Sequence, residues 1–209
     1  MSIHIFTGVP GSGKSLHAAA IARECLDRRN PRLVIANFEL AKDAPIQGSA
    51  RDLFQYVPNS EMSADRITSL AENFWSQSGR PFREDYITLI LDEAQLLFNS
   101  RLWSSKDRMS YLEFLSQSRK VGVKVILVAQ ATKMIDNQFR MLIEVEHNHR
   151  RVSSIGPIGQ LLTLLCGGRL FLCVRYLYQV NERLGMDLYR FSKRDMAMYD
   201  SWTRFDRQD

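Results

Sequence analysis

Gly8, Gly13, Lys14 and Ser15 fill the pattern GxxxxGK[ST] in the stretch GVPGSGKS, with Gly11 as an extra small residue. An apolar run, IHIF, precedes the stretch, and Ala-rich sequence of helical character, LHAAAIARECL, follows it. A strand that turns straight into a helix leaves free backbone N–H groups at the helix start, and the helix N-terminus adds partial positive charge. Residues Gly8, Val9, Pro10, Gly11, Ser12, Gly13, Lys14, Ser15 and Leu16 therefore read as a phosphate cradle. In such a loop the glycines let the backbone wrap the β-phosphate, Lys14 reaches the β- and γ-phosphates, and the Ser15 hydroxyl suits Mg²⁺. A chance match would lack the flanking strand and helix. The expected ligand is a nucleoside triphosphate, ATP, with Mg²⁺.

Two further stretches carry polar residues at the ends of apolar strands. In LILDEAQ, Asp92 closes the strand and is placed to hold Mg²⁺ through water, and Glu93 follows as the base that polarises an attacking water. Two exposed acids at a strand end is the plainer reading, and the upstream loop weighs against it. In VILVAQ, Gln130 is placed to touch the γ-phosphate or orient the lytic water. Lys14, Glu93 and Gln130 form the expected catalytic set.

These residues need a scaffold that brings strand ends together. Besides the strand before the loop, strands are expected at residues 32–38, 86–94, 123–130 and 141–147, each a near-continuous apolar run. Such runs suit strands buried on both faces of a parallel sheet. Helical patterns, ADRITSLAENFWSQ and DRMSYLEFLSQSRK, lie between them. The fold class is α/β, a P-loop NTPase with a mostly parallel sheet, helices on both faces, and a C-terminal strand or hairpin plus helix. The Asp92-Glu93 pair and Gln130 place another strand between the loop strand and the Asp92 strand. Counted along the chain, the expected order is 5-1-4-3-2. A kinase-type P-loop would set those two strands side by side.

At 209 residues and 45% hydrophobic, the chain suits one domain over residues 1–209, with a nucleotide-binding core at 1–151 and a C-terminal part at 152–209. The loop strand begins so near the N-terminus that no signal peptide is expected. Residues 1–100 hold 10 Lys/Arg against 12 Asp/Glu, whereas 101–209 hold 18 against 11. That asymmetry permits contact with nucleic acid or an anionic membrane, and equally a solvated basic face. Cys25, Cys166 and Cys173 fit neither zinc spacing nor a disulfide framework, so reduced thiols of a cytosolic chain are expected. The histidines of HNH at 147–149 lack a cysteine nearby in sequence, and a metal role for them is not expected. Residues 59–83 read as a polar surface excursion. Residues 152–168 carry no charge, but Pro157, Gln160 and the glycine pair argue against a membrane span, and QLLTLLC reads as packed on the domain. RLFLCVRYLYQV reads as a strand, NERLGM as a hairpin turn, and Ser192 with Asp195 as a helix capping box.

FTGVPGSGKS, LILDEAQLLFNSR, SQSRKVGVKVILVAQ and KMIDNQFRMLIE, in this order and spacing, resemble the N-terminal domain of the zonula occludens toxin (Zot) family, the assembly ATPases of filamentous bacteriophages. The likeness is specific over residues 2–151 and looser beyond. It implies a distant relation to FtsK/HerA-type DNA motors and ATP-driven assembly and extrusion of phage at the cytoplasmic face of the host inner membrane. It also implies a ring-like homo-oligomer, with phage coat protein and single-stranded phage DNA as partners. A transmembrane helix and periplasmic segment are implied after this domain, and the 209 residues stop short of them. The toxin activity belongs to that later portion and is not carried over. Readings from other classes are a nucleotide-gated DNA-binding or assembly adaptor and a small-molecule kinase. Transition-state charge on the γ-phosphoryl calls for an arginine as well as Lys14. The candidates are Arg119, favoured to act in trans on an adjacent subunit, and Arg140 as the alternative. The plainer reading pairs both with surface acids such as Glu113 or Asp136.

Overall fold

The computed structural model describes residues 3–98, 105–168 and 170–199. β1 (Ile3–Thr7) runs into the loop and α1 (Lys14–Leu26), and β2 (Val34–Ala36), α2 (Ser49–Asp52) and β3 (Phe54–Tyr56) follow. Next come α3 (Ala64–Ser78), β4 (Ile87–Leu91), α4 (Ser105–Gln117) and β5 (Val123–Val128). α5 (Asn137–Arg140), β6 (Val145–Arg151), α6 (Gly156–Leu165), β7 (Leu170–Leu177), β8 (Glu182–Arg190) and α7 (Lys193–Met196) complete the chain.

The apolar strands sort their residues to two faces, as period-two alternation requires. Ile3, Ile5, Ile35, Leu89, Leu91, Val125 and Leu127 pack on one side with Ile67, Ala71 and Phe74 of α3 and Phe114 and Leu115 of α4. Phe6, Val34, Ala36, Ile90, Ile126 and Val128 pack on the other with Ala18, Ala19, Ala22 and Leu26 of α1. The small α1 residues let that helix lie close over the sheet. α3 starts at Ser63, whose side chain accepts from the Arg66 N–H, and stops at Gly79, which adopts φ 61°.

The described strands form one sheet in the order β3-β2-β4-β5-β1-β6-β7-β8. The five expected strands correspond to β1, β2, β4, β5 and β6, and they neighbour one another in the expected succession. The whole sheet nevertheless differs from the expected five-stranded one. β3 extends one edge in parallel with β2, and β7 and β8 extend the other antiparallel.

Several local expectations are corrected. Strand β6 begins and ends four residues later than expected, because the apolar residues Phe139 of α5 and Ile143 of the turn after it are buried before the strand starts. α3 is no mere surface excursion, since its apolar face enters the core. The hairpin turns at Tyr178–Val180 and at Asn181, which has φ 53°, while residues 182–186 of NERLGM already belong to β8. α6 forms where QLLTLLC was expected to pack on the domain, but it buries only Gly159 and Thr163. Ile158, Leu161, Leu162, Leu164 and Leu165 are exposed. Its narrow contact with Val152 admits small side chains and turns the leucines outward. The Ser192–Asp195 capping box is present. Among the described residues, no helix is long and apolar enough to cross a membrane.

Candidate nucleotide site

The C-terminal ends of β1, β4 and β5 converge on the loop between Gly8 and Ser15. Two glycines of the loop carry its tightest constraints. A Cβ on Gly8 would stand 2.3 Å from the His149 carbonyl oxygen, and one on Gly13 would stand 2.7 Å from the Phe171 ring. Gly13 also holds φ 93°, a left-handed conformation that frees the first N–H groups of α1. The Gly8 N–H donates to the Gln130 carbonyl at 3.2 Å, so the residue after β5 and the loop are tied by backbone. The Gln130 side chain is exposed.

Lys14 folds back on the loop and donates to the carbonyls of Gly8 at 2.8 Å and Val9 at 3.2 Å. Burial holds its ammonium below the usual lysine range, opposed by Glu93 and then by Asp92. Ser15 Oγ donates to Asp92 Oδ1 at 3.2 Å. Burial pushes the Asp92 carboxyl upward, while hydrogen bonds from Ser15, the Glu93 amide and Tyr199 oppose it. A buried carboxylate beside a hydroxyl is a hard-oxygen donor set, which fits Mg²⁺. Glu93 has φ 48° and ψ 45°, and its carboxylate accepts from the Gln95 amide.

Asn37, Arg151 and Tyr199 were not anticipated. Asn37 follows β2 and clamps Asp92, accepting from its N–H at 2.7 Å and donating to its carbonyl at 2.8 Å. The signal was available, since Asn37 ends an apolar strand as Gln130 does. Arg151 ends β6 and donates through Nε to the Gly11 carbonyl at 2.7 Å. β6 is the neighbour of β1, with Thr7 opposite Asn148, so the end of β6 reaches loop height. A strand placed at residues 141–147 hid that. Tyr199 reaches back from the C-terminal segment, bridging to Leu40.

The two candidate trans arginines lie elsewhere. Arg119 sits in the turn before β5, at the end opposite Gln130, and pairs with Glu84 at 3.5 Å rather than with Glu113 or Asp136. Arg140 bonds Asn137 at 3.1 Å, and Asp136 is taken by Arg108.

The premise of the histidine expectation, that no cysteine lies near, is corrected. His149 and Cys173 are direct cross-strand partners, so the antiparallel pairing supplies the cysteine that local sequence lacked. His17 of α1 meets His149 at 2.8 Å, and His4 of β1 meets His147 at 2.9 Å.

The profile of the Zonular occludens toxin (Zot) family matches residues 2–203. The Gene 1 protein of Salmonella phage IKe is 39% identical over 175 residues, covering 81% of this chain and 46% of that protein. The chain thus spans about half the length of that relative. The N-terminal domain of zonular occludens toxin from Neisseria meningitidis is similar in structure, with TM-score 0.55, 16% identity, and 95% and 98% of the two chains covered. The genome packaging NTPase B204 from Sulfolobus turreted icosahedral virus 2, solved with ATP-gammaS, gives TM-score 0.52 at 15% identity, covering 90% of this chain and 96% of its own. At such identities these likenesses establish the fold, that of a P-loop NTPase.

Proposed function

This chain belongs to the zonular occludens toxin (Zot) family, and we propose that it is a magnesium-dependent ATPase whose turnover drives filamentous phage assembly and extrusion at the host inner membrane. The observation that carries this reading is the loop of Gly8 to Ser15 with Asp92 hydrogen-bonded to Ser15 and Glu93 next in sequence. Kinship with a phage Gene 1 protein and a fold shared with a viral genome-packaging NTPase support the phage role.

Lys14 leaves the Gly8 and Val9 carbonyls for the β- and γ-phosphates. Ser15 and Asp92 would hold Mg²⁺, which would neutralise charge building on the phosphate oxygens. Glu93 accepts the proton of the attacking water after releasing the Gln95 amide, and Gln130 orients that water. Arg151 adds a cation within the same chain. Arg119, or else Arg140, completes the site of a neighbouring subunit in a ring. Mixing Arg119→Ala with Lys14→Ala subunits tests the favoured candidate: partial recovery of turnover supports Arg119, and none, with each variant still assembling, rejects it. The host-membrane position rests on the family, and the leucines that α6 leaves in solvent are consistent with it.

The site bears on the other readings. β5 lies between β1 and β4, unlike a kinase-type P-loop, and Glu93 supplies a base that a pure adaptor would not need. Phosphate release from ATP, measured with and without single-stranded DNA and coat protein, separates the three. Mg²⁺-dependent release stimulated by either partner supports the motor. Binding without release supports the adaptor, and ADP formed only with a small acceptor, its phosphoryl group held on that acceptor rather than released, supports the kinase.

A further inference from the structure

The chain has four histidines, and the fold gathers all of them into one cluster beside Cys173. They come from β1 (His4), α1 (His17) and β6 (His147 and His149), with Cys173 from β7. His17, His147, His149 and Cys173 are each less than a tenth exposed. One ligand atom each from His17, His149 and Cys173 lies within 4.8 Å of the other two. Cys173 Sγ also stands 3.8 Å from His147 Nδ1.

The orientation of His149 is that of a ligand already aimed. Its Nδ1 lies 2.9 Å from the His147 carbonyl, which can only accept, so Nδ1 carries the proton and Nε2 presents its lone pair. Metal-bound histidines are commonly fixed by such a second hydrogen bond. His17 Nδ1 approaches that lone pair at 2.8 Å, and tetrahedral ligands about 2.0–2.1 Å from an ion stand about 3.3 Å apart. The pair therefore needs to open by only about half an ångström. Two imidazoles and a thiolate are nitrogen and sulfur donors, which suit Zn²⁺ and its neighbours rather than Mg²⁺.

We propose that His17, His149 and Cys173 form a transition-metal site of the zinc class, clasping the helix after the phosphate loop to the C-terminal hairpin. A cleft of about 360 Å³, lined among others by His4, His17, Lys124, His147, Arg175 and Tyr189, adjoins the cluster and provides an entry path and water for the fourth position. Lys124 and Arg175 oppose a cation there, and Arg175 is paired with Asp187 at 2.7 Å. Burial keeps the rings neutral, with His17 lowered to about 3 and His149 to about 4. The His17 Nδ1 proton, which His149 Nε2 accepts without metal, moves through solvent to His17 Nε2 as the ion binds, so each ring stays neutral. The Cys173 thiol, pushed up to about 12 by burial, is protonated without metal and gives its proton to solvent as the sulfur–metal bond forms.

The test is a titration of the chelator-treated 209-residue chain with Co²⁺ and then Zn²⁺, followed by absorption and thermal unfolding. The expected result is one equivalent of Co²⁺ bound with a thiolate-to-cobalt charge-transfer band, bleached by Zn²⁺, and a Zn²⁺-dependent rise in melting temperature. Cys173→Ser should lose the band and bind Zn²⁺ more than about tenfold more weakly, whereas Cys166→Ser should keep both. A folded parent chain that gives no such band overturns the proposal on its own, even if Cys173→Ser fails to fold. A band that survives in Cys173→Ser overturns it too.

Discussion

The parallel half of the sheet and its antiparallel extension are held by different forces. From β2 to β5 the strand interiors are mostly apolar and buried on both faces, with Ile35, Leu89 and Val125 on one side and Val34, Ile90 and Ile126 on the other all at 0% exposure. Beyond β1, the strands bury polar groups instead: His147 and His149 of β6 face His4 and His17 across a seam. β8 leaves Leu184, Met186 and Leu188 in solvent. α1 serves both halves, giving Ala18, Ala19, Ala22 and Leu26 to the apolar core and His17 to the seam. The nucleotide loop thus rides on a helix with one face set by hydrophobic burial and another by groups that titrate.

The largest expected effect follows from that seam, in chelator-treated protein. Burial first, then neighbouring charge, lowers His4 to about 4, His17 to about 3, His147 to about 2 and His149 to about 4, from 6.5. Lys124 and Lys14 reinforce the lowering, while Asp85 opposes it at His4 and the His147 carbonyl opposes it at His149. Because the folded values are depressed, the unfolded chain takes up more protons once the pH drops below 6.5. Stability present above that value is lost toward pH 4, with each ring adding up to about 1.4 kcal/mol per pH unit. Denaturant unfolding at successive pH values checks this, and a flat profile across that window would contradict it.

A pair of leucine truncations sharpens the contrast. Leu89→Ala in the parallel half should cost about 2–5 kcal/mol, the range for emptying a close-packed core position. Leu188→Ala, 62% exposed in β8, should stay within about 0.5 kcal/mol. Equal losses in denaturant unfolding would erase the distinction between the halves.

A smaller effect of opposite sign is expected at Asp92. Its folded-state value is raised by burial, so its contribution to stability is present below the ordinary carboxylate range and lost as pH rises through the folded value. At neutral pH without a cation the charge is a cost. Asp92→Asn keeps an oxygen to accept from Ser15 and the Glu93 amide, so the ligand-free melting temperature should rise while stabilisation by Mg²⁺-ATP disappears. A lower ligand-free melting temperature would show the carboxylate to be structurally required.

The same division decides what could be read beforehand. Near-continuous apolar runs announced β1, β4 and β5, and their polar terminal residues announced Asp92 and Gln130. β6 was misplaced because its buried residues, His147 and His149, look like surface sequence until α1 is packed on them. That error hid Arg151. Cys173 meets His149 only through strand pairing, and Tyr199 reaches Asp92 only through the return of the C-terminal segment. α6 was misjudged because apolar composition does not report how little of a helix finds a partner. Residues that act on one strand end are legible; residues that meet across elements are not.

The central claim is tested most directly by measuring ATP binding and Mg²⁺-dependent phosphate release side by side for the parent chain, Lys14→Ala and Glu93→Gln. The expected result is release by the parent, weakened binding and background release by Lys14→Ala, and retained binding with stalled release by Glu93→Gln. Near-parental hydrolysis by Lys14→Ala would contradict the account.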